Sequence, residues 1–163
     1  MIKHVMQSKL TTGKAMDFFN FMVNPQPDVY AKWIPEEHYK FQVVKRSDKS
    51  PVGDLFYFDQ NIGGKHRMKF NAIIRLADEP RHVLFQIRKF GINLPGYVEL
   101  KFEDSVDGML LTEEMCIGFE GFGGILDHFI RIVYNKSFFK EMDEHHKREW
   151  QRLADVFNEN TKL

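Results

Sequence analysis

The stretch Ser137-Phe-Phe-Lys-Glu-Met-Asp-Glu-His-His-Lys-Arg-Glu-Trp-Gln-Arg-Leu-Ala-Asp-Val-Phe157 decides the fold, within a C-terminal run from about 124 to 160. On a helix of about 3.6 residues per turn, its apolar side chains fall on one face and its lysines lie opposite. This sequence therefore predicts one long amphipathic helix at the end of the chain. Its buried stripe is predicted to comprise Phe138, Met142, His145, Glu149, Leu153 and Val156, widened by Phe139, His146, Trp150 and Phe157.

An imidazole and a carboxylate interrupt this apolar stripe. His145 and Glu149 are four residues apart, so their side chains rise on the same side of the helix, one turn from each other. A charge that faces a core is costly unless it is paired, protonated or bound to a metal. The pair is therefore either a candidate metal chelate or an intrahelical polar pair at the edge of the stripe.

The composition predicts a single domain, residues 1–163, with a large core or an apolar cavity. Aromatic residues make up 14% of the chain, with 16 Phe and 8 Met, and the formal net charge of zero does not favour nucleic acid as a partner. The single cysteine, Cys116, excludes an intrachain disulfide and favours a reducing compartment, and we interpret it as a small buried residue. Neither a signal sequence nor a run of roughly 18 apolar residues is visible, so we expect a soluble cytoplasmic protein without a membrane span.

The rest of the chain reads as a strand, two short helices and a series of hairpins. We predict a strand over 2–10, a helix over 13–23 capped by Thr11-Thr12, a second helical piece through Trp33, and a strand from about Tyr39 to Lys45. About six strands then precede the last helix. The turn signals are Gly63-Gly64, Asp78-Glu-Pro80, Pro95-Gly96 and Asp107-Gly108, and Gly121-Phe-Gly-Gly124 is interpreted as a flexible entry to the helix.

Two hairpin registers follow from matching the apolar faces. A loop of Ile62-Gly63-Gly64 places Phe58 opposite Met68 and Gln60 opposite His66, with Asp59 and Arg67 on the outer face as an ion pair. A turn centred on Asp107-Gly108 places Glu113 on the same face as Val98, Leu100, Phe102, Met115 and Ile117. Glu113 is thus a second carboxylate on an apolar face.

This order of elements resembles the START-like superfamily, also called SRPBCC or Bet v 1-like. The fold class implied is α+β, a helix-grip arrangement in which a curved antiparallel sheet of about six or seven strands surrounds the long C-terminal helix. The resemblance implies an apolar cavity for a lipid, polyketide or aromatic molecule, and the superfamily includes carriers, polyketide cyclases and hydrolases. Fold alone does not select among these activities.

Two local stretches look like the diacetylphloroglucinol hydrolase group of that superfamily. They are Trp33-Ile-Pro-Glu-Glu-His38, and Phe56-Tyr-Phe-Asp-Gln-Asn-Ile-Gly-Gly-Lys65 together with the pair His145-x-x-x-Glu149. The resemblance implies a zinc-dependent hydrolase of a carbon–carbon bond in an acylated phenol, with a metal held by two His and two Glu. His38, His145 and Glu149 match three ligands, while Gln60 stands at or next to the fourth, where the group implies Glu.

Each candidate has a plainer interpretation. His38 alone would be a surface loop residue, Gln60 a hydrogen-bonding residue of the cavity wall, and His66 the partner of that amide. Glu113 and His66 are the candidate catalytic residues, although Glu113 is more often a rim carboxylate paired with Lys or Arg. His146 is interpreted as lying over Trp150. The predicted lining of the ligand cavity is Tyr30, Trp33, Phe56, Phe58, Met68, Phe85, Leu100 and Met115.

Two functions are thus expected from the sequence. The first is a zinc-dependent hydrolase of a small acylated aromatic or polyketide-like compound, with zinc as the cofactor. The second is a non-catalytic binder or carrier of a lipid or aromatic ligand, which the Gln at position 60 favours. In both cases the partner is a small hydrophobic or aromatic molecule, and a homodimer is left as an open alternative.

Overall fold

The computed structural model describes residues 1–62, 66–119 and 134–161. One antiparallel sheet of seven strands has the order β1-β7-β6-β5-β4-β3-β2, so the chain ends its meander beside its first strand. Two short helices follow β1, and the long helix comes last. The elements are β1 (Ile2–Leu10), α1 (Ala15–Val23), α2 (Pro27–Trp33), β2 (His38–Lys45), β3 (Leu55–Ile62), β4 (His66–Asp78), β5 (His82–Lys89), β6 (Ile92–Ser105), β7 (Gly108–Ile117) and α3 (Lys136–Thr161).

The predicted helix-grip fold is confirmed. The apolar stripe of α3 is buried, and its polar pair is buried with it. The helix packs on α2 and β1, while α1 packs on β5 and β6. Aromatic rings fill the space between, with Phe18 in contact with Phe102, Trp150 and Phe157. Burying such a ring contributes roughly 1.5–3 kcal/mol, so this core holds the helix against the sheet.

The predicted faces of β3 and β4 are confirmed, but the predicted register is wrong by two residues. Phe58 pairs with Phe70 and Gln60 with Met68, while His66 pairs with Ile62 instead of Gln60. Side chains alternate with a period of two, so a two-residue shift keeps every residue on its face. Asp59 accordingly meets Arg67 on the outer face, with 2.9 Å between Arg67 Nε and Asp59 Oδ1.

The second hairpin shows the same error. Ser105 pairs with Gly108, so Val106 and Asp107 form the turn, and Leu100 instead of Phe102 lies opposite Glu113. Glu113 nevertheless shares the apolar face of Leu100, as predicted, because the shift is again two residues.

The Pro95-Gly96 turn prediction is wrong. Both residues lie inside β6, where the pairing with β5 shifts between Gln86 and Arg88. The turn falls at Phe90-Gly91 instead, since Lys89 pairs with Ile92. Proline and glycine inside a strand pattern mark a bulge as readily as a turn, and here they mark the irregularity.

The N-terminus of α1 is also capped differently from the prediction. Neither Thr11 nor Thr12 caps the helix, whose cap position is Lys14 without a side-chain hydrogen bond. The Ala15 amide instead donates to Asp104 Oδ1 of β6 at 2.8 Å. The carboxylate that satisfies this helix end thus comes from β6, in the row of the sheet that also contains Leu10. The predicted Gly121–Gly124 entry lies outside the described residues.

Candidate metal centre

His145 and Glu149 are brought together by α3 as predicted. Their atoms Nε2 and Oε2 are 3.0 Å apart, one turn from each other on the buried face. The backbone oxygen of Glu149 accepts a hydrogen bond from Trp33 Nε1 at 2.6 Å, which ties this turn of α3 to α2. The position of the pair is therefore set by the core packing as well as by the helix.

His38 joins this pair from the start of β2. The chain reverses after α2 because the amides of Glu37 and His38 both donate to the carbonyl of Ile34. His38 Nε2 then lies 3.3 Å from Glu149 Oε2. His38 is only 4% exposed, so the alternative of a surface loop histidine is wrong.

The nitrogens of His38 are unusual for a buried imidazole. Among the described residues, neither accepts nor donates a well-formed hydrogen bond. The ring is held by apolar contacts instead, stacked on Tyr30 at 5.4 Å between centroids and edge-on to Trp33 at 4.4 Å. Buried polar atoms are normally hydrogen-bonded, so an unsatisfied imidazole directed at a carboxylate indicates a place for a further partner.

Glu37 is a member of the cluster that the sequence analysis missed. Its Oε2 lies 2.6 Å from His145 Nδ1, and Arg148 Nη2 donates to both Glu37 oxygens at 2.7 and 2.8 Å. A carboxylate on Nδ1 orients the ring and leaves Nε2 for a metal, as in carboxylate–histidine–zinc arrangements. Only its position next to His38 hinted at this role, and the sequence does not distinguish it from Glu36.

The electrostatics of the cluster favour an ionised carboxylate at Glu149. Burial by itself lowers the pKa of His145, but the charges and hydrogen bonds of Glu149 and Glu37 outweigh it and raise that pKa to about 9. Burial raises the pKa of Glu149, yet His145 and His38 overcome this and hold it well below its ordinary value. Without a metal, the cluster is a buried ion pair. A cation at Glu149 would replace the proton of His145.

Gln60 is placed beside this cluster by the sheet. It is the β3 partner of His38, and it lines an inner cavity of about 80 Å³ together with Glu149. This position fits both interpretations from the sequence, a weak fourth ligand or a hydrogen-bonding residue of the wall.

Glu113 also lines this cavity, but its partners differ from the expectation of Lys or Arg. His146 Nδ1 lies 2.9 Å from Glu113 Oε2, and Trp150 Nε1 donates to the same oxygen at 3.1 Å. His146 lies edge-on to Trp150 as predicted, with 6.3 Å between centroids. It also makes the contact with Glu113 that the sequence did not reveal.

His66 lies away from the cluster. Its side chain is about half exposed, its Nε2 is 3.4 Å from Glu141 Oε2, and its ring is edge-on to Phe138. It lines an outer cleft of about 680 Å³ instead of the inner cavity. The prediction that it serves the amide of Gln60 is wrong, because the β3–β4 register places Met68 there.

The predicted lining residues divide among three places. Tyr30, Trp33, Phe58, Phe85 and Leu100 line the inner cavity, and Met68 lines the outer cleft. Phe56 is fully buried in the core, and Met115 packs in a separate cluster with Met6, Phe138 and Met142. Phe70 and Ile87 line both the cavity and the cleft, so the two spaces adjoin.

The donor set suits a metal. One ligand atom from each of His38, His145 and Glu149 can be chosen so that all lie within 4.8 Å of one another. Two imidazoles and one carboxylate are a common set for catalytic zinc, which keeps a fourth position for water or substrate. The unsatisfied His38 nitrogens and the Glu37 partner of His145 both fit that arrangement.

The fold places the chain among proteins with a Bet v 1-like helix-grip fold. Similar solved structures include major latex-like protein 151 from Panax ginseng (TM-score 0.59, 14% identity, covering 89% of this chain and 97% of that one). Ara h 8.0201 gives a TM-score of 0.55 at 17% identity, covering 88% and 95%. A protein of unknown function from Staphylococcus aureus gives 0.59 at 10% identity, covering 99% and 96%.

These similarities support the START-like fold. They do not support membership of the diacetylphloroglucinol hydrolase group, and that assignment remains a proposal. No protein-family model and no curated protein sequence matches the chain. None of the helices in the described residues is long and apolar enough to cross a membrane.

Proposed function

We propose that this chain is a zinc-dependent hydrolase that acts on a small acylated aromatic compound. The observation that carries the proposal is the convergence of His38, His145 and Glu149, the last of which lines an apolar cavity. Zinc held there would polarise a carbonyl group and lower the pKa of a water molecule. The resemblance to the diacetylphloroglucinol hydrolase group suggests the class of substrate.

Other residues of the site would orient the zinc ligands, enclose the substrate and transfer a proton. Glu37 orients His145, because it occupies Nδ1 and is itself clamped by Arg148. The aromatic wall of Tyr30, Trp33 and Phe58 would surround the acyl group and exclude water. Glu113, across the same cavity, is proposed as the group that accepts or returns a proton. His66 would contact only the outer part of a ligand in the cleft.

The size of the cavity limits which part of the ligand reaches the site. An inner space of about 80 Å³ holds only a few non-hydrogen atoms, whereas the adjoining cleft of about 680 Å³ holds a small aromatic molecule. We therefore propose that the acyl group lies in the inner cavity and the rest of the molecule in the cleft.

The test is zinc content by elemental analysis, followed by a screen of acylated phenols. We expect about one zinc per chain in the wild type and loss of it in Glu149→Gln. The matched control is His82→Ala, which removes a His–Glu pair 2.6 Å apart on another part of the sheet and should keep the zinc. A wild-type protein that stays free of zinc at neutral pH would contradict the proposal.

Gln60 supplies a second test. If position 60 adjoins the metal, Gln60→Glu adds a charged oxygen ligand, and zinc should bind more tightly by about tenfold or more. Isothermal titration calorimetry with a competing chelator measures this change. Unchanged affinity would mean that residue 60 belongs to the cavity wall alone.

The second candidate function is a binder or carrier of an apolar ligand without turnover. The neutral Gln60 and the aromatic lining favour it. Mass spectrometry of ligands that co-purify with the protein distinguishes the two, because a carrier retains an intact molecule while a hydrolase with zinc consumes an acylated one.

A further inference from the structure

The hairpin between β5 and β6 carries large apolar side chains into solvent. Phe90 is 90% exposed and Ile92 68% exposed, and Leu94 follows at 38%. Scattered exposed apolar residues are common, but three within five positions at one protruding tip form a patch. We call Phe90, Ile92 and Leu94 the apolar tip.

The conformation of the turn indicates that Phe90 does not stabilise the fold. Lys89 pairs with Ile92, so the loop has two residues, and both have positive φ, 52° for Phe90 and 79° for Gly91. This is the backbone of a type I′ turn, which prefers Asn-Gly or Asp-Gly. A bulky residue in the left-handed region is strained, and no residue in the described part of the chain buries the ring in exchange.

The charge around the tip is one-sided. From Arg81 to Val98 the sequence contains no Asp or Glu, while Arg88 and Lys89 stand directly before Phe90. Arg88 Nη2 donates to the carbonyl of Gly91 at 2.7 Å and so braces the turn. Lys89 Nζ lies 5.7 Å from the Phe90 ring centroid, so a cation accompanies the exposed aromatic. Apolar side chains beside cations are what an anionic lipid surface attracts.

The tip also stands at the cleft. Lys89, Leu94 and Pro95 line the outer cleft described above, and the acidic residues Asp and Glu are missing from the lining contributed by the described residues. A surface that engages the tip would therefore meet the cleft as well.

We propose that the apolar tip inserts into the surface of an anionic lipid bilayer and places the outer cleft against it. The occupant of the cleft would then be an apolar or amphipathic molecule drawn from the membrane. This proposal rests on the hairpin and its charge and is independent of the metal centre.

The test is co-sedimentation of the full chain with vesicles of phosphatidylcholine, with and without about 30% phosphatidylglycerol. We expect binding to the anionic vesicles that weakens with salt. Phe90→Asn should reduce it by about tenfold or more, since a large apolar side chain no longer enters the bilayer. Lys89→Gln should reduce it by about fivefold.

The variant Phe90→Asn separates binding from folding. Because Asn is favoured in this turn, the melting temperature of the variant should equal or exceed that of the wild type. Its binding to anionic vesicles should nevertheless be lost. The matched control is Val106→Ser at the β6–β7 turn, where Val106 is fully exposed but flanked by Asp104 and Asp107. This control should bind vesicles like the wild type.

Three results of the vesicle assay would overturn the proposal. They are failure of the wild type to bind anionic vesicles, equal binding by Phe90→Asn, and equal binding to vesicles of phosphatidylcholine alone. A concentration-dependent dimer in sedimentation velocity that Phe90→Asn dissociates would also overturn it, because the tip would then belong to an interface between two copies.

Discussion

Two buried histidine–carboxylate groups lie on consecutive residues of α3, and they differ in what completes them. His145 meets Glu149 and Glu37, with His38 arriving from β2. His146 meets Glu113, whose same oxygen also accepts the indole N–H of Trp150. In the first group, the imidazoles of His145 and His38 both face the carboxylate of Glu149. In the second group, the carboxylate of Glu113 faces the indole N–H of Trp150, which repels cations.

This difference teaches that burial of a His–Glu pair does not by itself indicate a metal site. Ligand atoms of Glu113, His146 and Glu149 also lie within 4.8 Å of one another. A cation there would face the indole N–H directed at Glu113, so we interpret this group as a hydrogen-bond network that holds Glu113 in place and not as a metal site. The predictions that follow test this contrast between the His38–His145–Glu149 group and the Glu113–His146–Trp150 group.

The largest effect is expected for zinc affinity. His145→Ala removes a ligand and should weaken zinc binding by about 100-fold or more, above the range for loss of a supporting partner. His146→Ala, one residue further along α3, should leave the affinity within about threefold, because its imidazole serves Glu113. Titration with a competing chelator measures both, and circular dichroism checks that both variants fold. Equal losses of affinity would remove the distinction between the two groups.

The next effect is on stability. Glu113→Ala leaves Trp150 Nε1 and His146 Nδ1 without their acceptor, and the free energy of unfolding should fall by about 1–3 kcal/mol. The control variant Glu144→Ala removes the exposed partner of Lys140 on α3 and should cost under about 1 kcal/mol. Urea denaturation of the metal-free protein measures both changes. A Glu113 variant as stable as the wild type would speak against a structural network.

A smaller effect is expected from the residue that supports the first group. Glu37→Gln keeps the shape of the side chain but weakens its hold on His145 Nδ1 and on Arg148, so zinc affinity should fall by about tenfold. Glu36→Gln is the matched control, since its exposed side chain should leave the affinity unchanged. Identical behaviour of the two variants would show that Glu37 does not position the histidine.

The smallest effect concerns a carboxylate on the outer face of the sheet. A hydrogen bond from Arg67 lowers the pKa of Asp59, and the charge of Arg67 adds to this shift. The stabilisation is therefore present above the unfolded pKa of about 3.9 and is lost as pH falls through the lower folded value. Asp59→Asn should cost under about 1 kcal/mol at pH 7 and less at about pH 2. Urea denaturation at both pH values tests this. A cost that is undiminished in acid would contradict the ion pair.

The sequence predicted much of this fold from local periodicity. The buried stripe of α3 and the inward faces of Gln60 and Glu113 follow from periods of about 3.6 and 2, which covalent geometry imposes on any helix or strand. The same reasoning missed both hairpin registers by two residues, because such a shift leaves every face unchanged. It also took Pro95-Gly96 for a turn, since a bulge uses the same residues.

The sequence by itself determined that His145 and Glu149 lie on the same side of α3, because the helical repeat sets their spacing. Only the tertiary structure decided what else reaches that pair. Glu37 contacts His145 from 108 positions away, and it does so because a backbone turn at Ile34 directs it inward. Trp150 reaches Glu113 only because the sheet holds β7 against α3. Such contacts depend on how separate elements pack, and no local pattern of residues encodes that geometry.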